Sequence, residues 1–231
     1  MRKIYILFIC LVLSSCSVLF PEGITFNPAN YNYNYLTFNK RLVYNNESYL
    51  LFPTSFGDSD FNNNGNLNYV VDFFNEKLGN KITLKNDYKD NKGKLMIPFI
   101  SGYDITDEEI LFLKENTDVK YVILSKILYL NHLKEVSFPR NSKGRFNDSK
   151  SGAMSFIKIV DIKTNTILLE MNCVGEVSVS ENRDLATGDG KLQPKAIYTD
   201  SYSLGEKTMK KLLKKIKWKY FNFFSNTVCL K

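Results

Sequence analysis

The feature that most constrains the fold is a pair of β-rich runs within residues 153–180, which read AMSFIKIVDIKTNTILLEMNCVGEVSVS. A polar turn at residues 163–165 separates the two runs. Alternating β-rich segments joined by a short polar turn are typical of a hairpin. We therefore predict a long antiparallel hairpin here. The side chains expected on its solvent side are those of Ser155, Lys158 and Asp161.

Helix and strand signals alternate on the amino-terminal side of this hairpin. The short runs SYLLFP and KITLKN are typical of strands. Between them, apolar residues recur at helical spacing and Gly79 stands where a helix would end. Thr106 and Glu109 match a capping box, which predicts a second helix up to about Glu115. The β-branched and aromatic run VKYVILSKILYL follows as a central strand.

A final helix is predicted near residue 210. Its apolar face is formed by Met209, Leu212, Leu213 and Ile216. The opposite face carries Lys207, Lys210, Lys211, Lys214 and Lys215. Taken with the preceding elements, this order predicts an α/β fold. We expect a single mixed sheet of about five strands with the long antiparallel hairpin, packed by about three helices.

The amino terminus has the three-part layout of a secretory signal. Arg2 and Lys3 form a basic start, an apolar stretch runs from residue 4 to residue 13, and Ser14 and Ser15 are small. A membrane-spanning helix needs about 20 apolar residues, and this stretch is roughly half as long. The segment is therefore expected to be a cleaved signal.

Residues 13–16, Leu-Ser-Ser-Cys, resemble the lipobox of bacterial lipoproteins. That resemblance implies cleavage between Ser15 and Cys16 and transfer of a diacylglycerol, bearing chains such as palmitate, to the Cys16 thiol. Ser17 in place of aspartate implies outer-membrane sorting. The periplasmic face is favoured over the cell surface, and both orientations stay open. An ordinary signal peptide with an accidental cysteine, or a buried amino-terminal helix, are the alternatives.

The remaining chain divides into three expected segments. Residues 16–40 hold the lipidated cysteine and a tether, because prolines, a glycine and the NYNYNY stretch interrupt regular structure. Residues 41–218 form the α/β domain. Residues 219–231 form an aromatic carboxy-terminal tail, which must either fold back onto the domain or meet a partner.

Composition excludes a disordered chain and narrows the class of partner. Hydrophobic residues make up 44% of the 231 residues and aromatic residues 14%, so a packed core is expected. The formal net charge of +7 favours an anionic partner, but export from the cytoplasm argues against nucleic acid. Cys173 and Cys229 remain in the mature chain, and whether they form one disulfide is left open.

Three local patterns resemble the periplasmic α/β domain of several envelope lipoproteins. They are LLFPTSFGD, DVKYVILSKI and IKIVDIKTNTIL, and the resemblance covers residues 48–217. The group contains the curli-secretion lipoprotein, the lipoprotein activators of penicillin-binding proteins and the amino-terminal domain of TolB. Ser125 and Asn165 occupy positions where that group usually has glycine. The resemblance implies a protein-interaction or assembly module.

Reactive constellations are missing from the sequence patterns. His132 is the single histidine, so one chain cannot build a metal site with several imidazoles. No GxSxG elbow accompanies it, and the GDGK at residues 188–191 lacks the phosphate-loop spacing. We therefore predict no catalytic residue, no cofactor and no metal. A basic loop offers candidate partner-binding residues, namely Arg140, Lys143, Arg145 and Lys150.

Three functions are compatible with these patterns. The first is a non-catalytic, membrane-anchored envelope lipoprotein that docks another envelope protein. The second is a ring-forming secretion subunit of the outer membrane, whose hairpin would cross the bilayer with about 9 to 11 residues per strand. The third is a hydrolase of envelope polymers that acts through carboxylates, although no particular pair is favoured.

Overall fold

The structure, a computed structural model, describes residues 24–38, 47–57, 64–65, 67–89, 93–98, 102–130, 149–178 and 195–216. The strands are β1 (Ile24–Asn27), β2 (Asn30–Phe38), β3 (Tyr49–Leu51), β4 (Thr54–Phe56), β5 (Asn64–Gly65), β6 (Ile82–Leu84), β7 (Tyr121–Tyr129), β8 (Ser149–Asp161), β9 (Thr166–Ser178) and β10 (Lys195–Tyr198). The helices are α1 (Asn68–Leu78), α2 (Asp107–Asn116) and α3 (Ser201–Ile216).

The strands build one large mixed sheet and one small sheet, so the predicted α/β class is confirmed. The large sheet has the order β2-β9-β8-β7-β3-β6, and β4 joins it beside β7 and β5. Strands β6, β3 and β7 are parallel, whereas β7, β8, β9 and β2 are antiparallel neighbours. The sheet is larger than the five strands expected, and β1 pairs with β10 in a separate parallel sheet.

Helices cover both faces of the large sheet. One hydrophobic cluster joins α1 and α3 to alternate residues of β7, among them Ile123 and Ile127. A second cluster lies on the other face and joins α2 to Val122 and Leu124 of the same strand. Burial on both sides explains why the β7 sequence is a continuous apolar run rather than an alternating one.

The predicted hairpin is confirmed as β8 and β9, which pair antiparallel over 13-residue strands. Asn165 in the turn has a φ of 50°, the left-handed conformation that favours glycine or asparagine. The Asp161 carboxylate accepts hydrogen bonds from the backbone N–H groups of Lys163 and Thr164, at 2.9 and 3.2 Å. These contacts fix the turn without a glycine.

The expectation that Ser155, Lys158 and Asp161 face solvent is wrong, because all three are buried. The hydroxyls of Ser155 and Thr208 of α3 lie 2.7 Å apart, so helix α3 covers that position. The Lys158 ammonium donates to Asp104 in the loop before α2. The Asp161 carboxylate accepts a backbone N–H of the hairpin turn. Alternation along a strand predicts a polar face, but it does not tell whether a helix packs on that face.

The expected tether is also wrong in part, because residues 30–38 form strand β2. This strand pairs antiparallel with β9 over eight register positions, from Asn30 opposite Glu176 to Phe38 opposite Leu169. Tyr31, Tyr33 and Tyr35 pack against the cluster beneath α1 and α3. The tyrosines, at every second position, therefore form the inward side of a strand. The asparagines between them hide the strand pattern in the sequence, because asparagine is typical of turns.

The predicted helices are confirmed. In α2, Thr106 accepts the N–H of Glu109 at 3.2 Å, and the Glu109 carboxylate accepts the N–H of Thr106 at 2.8 Å, which completes the capping box. No helix among the described residues is long and apolar enough to cross a membrane.

Ser125 links two strands of the large sheet through hydrogen bonds. It is buried, its hydroxyl lies 2.8 Å from that of Thr54, and its carbonyl accepts a hydrogen bond from Ser55 at 3.3 Å. Strands β4 and β7 are therefore joined by side chains as well as by their backbones.

Candidate functional site

A groove of about 900 Å³ lies where strand β2 and helices α1 and α3 meet. Its walls combine aromatic rings with charges of both signs. The lining residues are Tyr33, Tyr69, Asp72, Phe73, Glu76, Lys210, Lys211, Leu213, Lys214 and Lys215. They come from three separated stretches of the chain, so only folding brings them together.

Helix α3 places its lysines on the groove because its other face is fixed in the core. Met209, Leu212, Leu213 and Ile216 are buried, as the helical spacing predicts. Three lysines of the opposite face lie over tyrosine rings. The ammonium nitrogen lies 5.2 Å from the ring centroid in the pair Lys210–Tyr69, 4.3 Å in Lys211–Tyr31 and 5.4 Å in Lys215–Tyr33.

These cation–π contacts favour positions of the ammonium groups over the tyrosine rings. A lysine over the face of an aromatic ring is held by about 0.5–1 kcal/mol at an exposed site. The side chains are therefore directed toward the groove rather than spread through solvent, while each ammonium keeps donors for a further partner. Strand β2 supplies two of the three tyrosines.

Helix α1 forms the opposite wall of the groove with Tyr69, Asp72, Phe73 and Glu76. Burial is the main cause that raises the pKa of Tyr69, and the charge of Glu206 adds to it. The phenol is therefore neutral at physiological pH and serves as a hydrogen-bonding and stacking group. Lys77 pairs with Glu76, and Lys210 pairs with Glu206.

The charges of the groove favour an anionic partner. Four lysines and two carboxylates line it, so the ammonium groups outnumber the acids at neutral pH. Aromatic residues with a polar tip are enriched at protein interfaces because one end packs and the other hydrogen-bonds. The arrangement is suited to binding a segment that carries acidic groups beside apolar ones.

A second charged cluster lies on the other face of the sheet and is structural. The Lys158 ammonium donates to the Asp104 carboxylate at 3.3 Å and to the Tyr103 carbonyl at 3.4 Å, and it lies 3.5 Å from Glu170. The Tyr103 hydroxyl donates to Glu170 at 2.9 Å. Burial first, and then the charge of Glu170, raises the pKa of Tyr103. The four groups engage one another and tie the loop before α2 to the hairpin.

Most of the sequence-predicted site residues fall outside the described part of the chain. These are Ser15, Cys16, Arg140, Lys143 and Arg145, together with His132 and Cys229. Lys150 is an exposed residue of β8. Their roles in cleavage, lipidation and partner binding stay predictions. Within the described ranges, no group of three or more His, Cys, Asp or Glu side chains is placed to hold a metal ion.

Cys173 has no disulfide partner among the described residues, and its thiol is buried in the core beneath α3. Burial raises its pKa to about 12, so the thiol is neutral and unreactive in the folded protein. Its proposed disulfide partner, Cys229, is among the residues that the structure leaves undescribed.

Sequence reasoning identified the lysine face of the last helix but missed the residues that complete the groove. The sequence analysis assigns the tyrosines of β2 to a tether and does not single out Asp72 and Glu76. The signal for the tyrosines was their spacing of two. No local pattern links residues 31–33, 69–76 and 210–215.

Among known proteins, similarity to this chain was found only in solved structures. No family model matches the sequence, and no curated protein matches it. The chain is similar to the PelC dodecamer of Paraburkholderia phytofirmans, with 6% identity and a TM-score of 0.30, over 67% of this chain and 84% of that one. A variant of the same dodecamer gives 6% identity and a TM-score of 0.28, over 68% and 87% of the two chains.

Proposed function

We propose that this protein is a non-catalytic lipoprotein of the bacterial envelope, anchored in the outer membrane through Cys16, whose α/β domain docks another envelope protein. The observation that carries the docking role is the groove between β2, α1 and α3. Its occupant is an acidic segment of the partner, with apolar side chains for the aromatic wall.

The lipobox-like residues 13–16 support the anchor. Each buried methylene contributes about 0.8 kcal/mol, so a single acyl chain binds reversibly while two chains hold a protein on a bilayer. A diacylglyceryl group on Cys16 would therefore keep the domain at the membrane without a spanning helix.

Charge complementarity supports the acidic partner. Lys211 and Lys215 lie over the rings of Tyr31 and Tyr33, and these contacts reduce in part the side-chain freedom that binding would cost. Lysines on a solvated helix face are common, but lysines positioned over rings around a 900 Å³ groove form a pre-arranged surface. Arg140, Lys143, Arg145 and Lys150 stay proposed partner-binding residues from their basic character in the sequence alone.

The hairpin favours docking over ring-forming secretion. A hairpin that crossed the bilayer would need one apolar side open to lipid. Instead, Leu169, Met171 and Cys173 of β9 are packed under α1 and α3, and Val174 is buried on the other side. A ring would therefore have to use other surfaces. Hydrolysis of envelope polymers is the remaining alternative, and blank turnover assays with purified protein would remove it.

The anchor is tested by metabolic labelling with palmitate. The full chain should carry the label, and Cys16→Ser should lose it and retain the uncleaved signal. The matched control is Cys10→Ser, which alters the apolar run but leaves the proposed lipidation site intact. A mature protein without label would refute the anchor.

The docking role is tested by photo-crosslinking in intact cells. A benzoylphenylalanine in place of Phe73, on the groove wall, should join the protein to one discrete envelope protein. The same probe in place of Leu111, an exposed residue of α2 on the other face of the sheet, should not. Equal products from both positions, or none from position 73, would refute the groove as the docking site.

A further inference from the structure

The small sheet of β1 and β10 exposes apolar side chains on both sides. Its strands are parallel, and parallel strands are normally covered on both faces. Phe26 and Ile197 are register partners, so their side chains share one side, and they are 74% and 41% exposed. Tyr198, on the opposite side, is 43% exposed. Among the described residues, the pair thus presents a hydrophobic surface without the cover expected for parallel strands.

Helix α3, which begins three positions after the end of β10, adds another exposed aromatic side chain. The Asp200 carboxylate accepts the backbone N–H of Ser203 at 3.0 Å and caps the helix start. Tyr202 therefore stands in the first turn, four residues after Tyr198. Its ring packs 4.6 Å from that of Tyr129, centroid to centroid, yet the residue is 73% exposed. Neighbouring exposed apolar side chains mark a surface of interaction.

The position of this surface in the chain indicates what covers it. Phe26 lies ten positions after Cys16, and a fully extended chain over that interval spans at most about 35 Å. A lipid on Cys16 would thus keep the strand pair near the bilayer whatever path the chain follows between them. Tyrosine is enriched at the membrane–water interface, and exposed apolar side chains enter the boundary of headgroups and acyl chains.

We propose that the β1–β10 pair and Tyr202 enter the interfacial layer of the bilayer leaflet that holds the lipid of Cys16. The proposal rests on the anchor described under the proposed function, and it is independent of the docking groove. The domain then has two attachments to one membrane, a covalent lipid and a patch of side chains, so its orientation on the surface is defined.

Photo-crosslinking in vesicles tests this contact. The full chain is expressed in a host that matures lipoproteins, with benzoylphenylalanine in place of Phe26 or of Tyr202. It is then reconstituted in vesicles of phosphatidylethanolamine and phosphatidylglycerol. The matched control carries the probe in place of Leu111, which is 53% exposed on α2. Phospholipid adducts are expected at positions 26 and 202 and are expected to be lost at position 111, because only the side chains of the patch would reach the lipid.

Three results would overturn the proposal. Adducts between two copies of the chain would make the patch an interface between subunits. Adducts within one chain would show that other residues of the protein cover it. Equal lipid yields at positions 26 and 111, or no adduct at position 26, would show that the patch is not in the membrane.

The mass of the reconstituted protein reports lipidation separately. A lipidated chain without lipid adducts at position 26 would contradict this inference and leave the anchor intact. An unlipidated chain that still forms lipid adducts at position 26 would refute the anchor and support the membrane contact.

Discussion

Gly175 in β9 and Thr208 in α3 approach so closely that a Cβ atom on residue 175 would lie 2.7 Å from Cγ2 of Thr208. The ring of Tyr31 would be 3.1 Å from the same atom. The absence of a side chain at position 175 therefore lets helix α3 and strand β2 both settle on the hairpin, and the groove depends on that packing.

This contact predicts that Gly175→Ala lowers the free energy of unfolding by about 1–3 kcal/mol, the usual cost of overpacking a core. Adding Thr208→Ser should recover part of the loss, because it removes Cγ2 and retains the hydroxyl that lies 2.7 Å from Ser155. Urea unfolding of the single and double variants measures both effects. An unchanged midpoint for Gly175→Ala would contradict the close packing.

The charged cluster in the hairpin predicts a cost that depends on which partner is removed. Glu170→Leu leaves the buried Lys158 with Asp104 as its only carboxylate, and it removes the acceptor of Tyr103. We expect a loss of about 2 kcal/mol in the free energy of unfolding. The double variant Lys158→Met with Glu170→Leu should be more stable than Glu170→Leu alone. Equal stability of the two would show that Lys158 is not a buried charge in need of a partner.

The capping box predicts a modest and specific effect at the start of α2. Thr106→Ala should lower the free energy of unfolding by about 1 kcal/mol, because the N–H of Glu109 loses its acceptor. Thr106→Ser keeps the hydroxyl and should be nearly neutral. Thermal unfolding of the two variants side by side provides the measurement, and equal losses would point to the methyl group instead of the cap.

Cys173 predicts a difference in reactivity between the folded and unfolded chains. Its pKa of about 12, against 9.0 for a free thiol, reduces the thiolate fraction at pH 8 by roughly a thousandfold. Iodoacetamide should therefore label Cys173 slowly in the native protein and rapidly in urea, as read by mass spectrometry. Raising the pH toward 12 should speed the native reaction. Protection that persists in urea until a reductant is added would instead show a disulfide with Cys229.

The groove predicts a charge-dependent loss of partner binding. Lys211→Glu with Lys215→Glu should abolish the crosslink formed from position 73, because an acidic segment would then meet like charges. Both side chains lie outside the buried face of α3, so the fold should be retained, which circular dichroism checks. The control is Lys114→Glu at an exposed position of α2, and it should leave the crosslink unchanged. A crosslink that survives the double reversal would contradict an acidic occupant.

The fold was predictable where periodicity and burial agree. The apolar residues of α1 and α3, the capping box at Thr106 and the hairpin turn at Asn165 each have a local physical cause, and each was found. Strand β2 was not found, because asparagines occupy its outward positions and apolar aliphatic residues are scarce in it. Its stability comes from pairing with β9 and from α3 above its tyrosines, and neither is visible locally.

Only the lysine face of the candidate site could be predicted from the sequence. The lysine face follows from the helical spacing of α3, but the tyrosines and acids that turn this face into a groove lie far away in the sequence. The same reason explains the error at Ser155, whose hydroxyl meets a helix that begins 46 residues later. Contacts between distant segments are settled by the whole fold.

The pairing of β1 with β10 and of β2 with β9 also dictates an order of folding. The amide of Asn34 donates to Asn172 at 2.9 Å across a separation of 138 residues, and closing loops of that length is entropically costly and slow. Synthesis and the proposed export both start at the amino end, so the earliest strands to emerge are the last to acquire neighbours. Until β9 is in place, the NYNYNY stretch is an unpaired segment that chaperones can bind and that can aggregate.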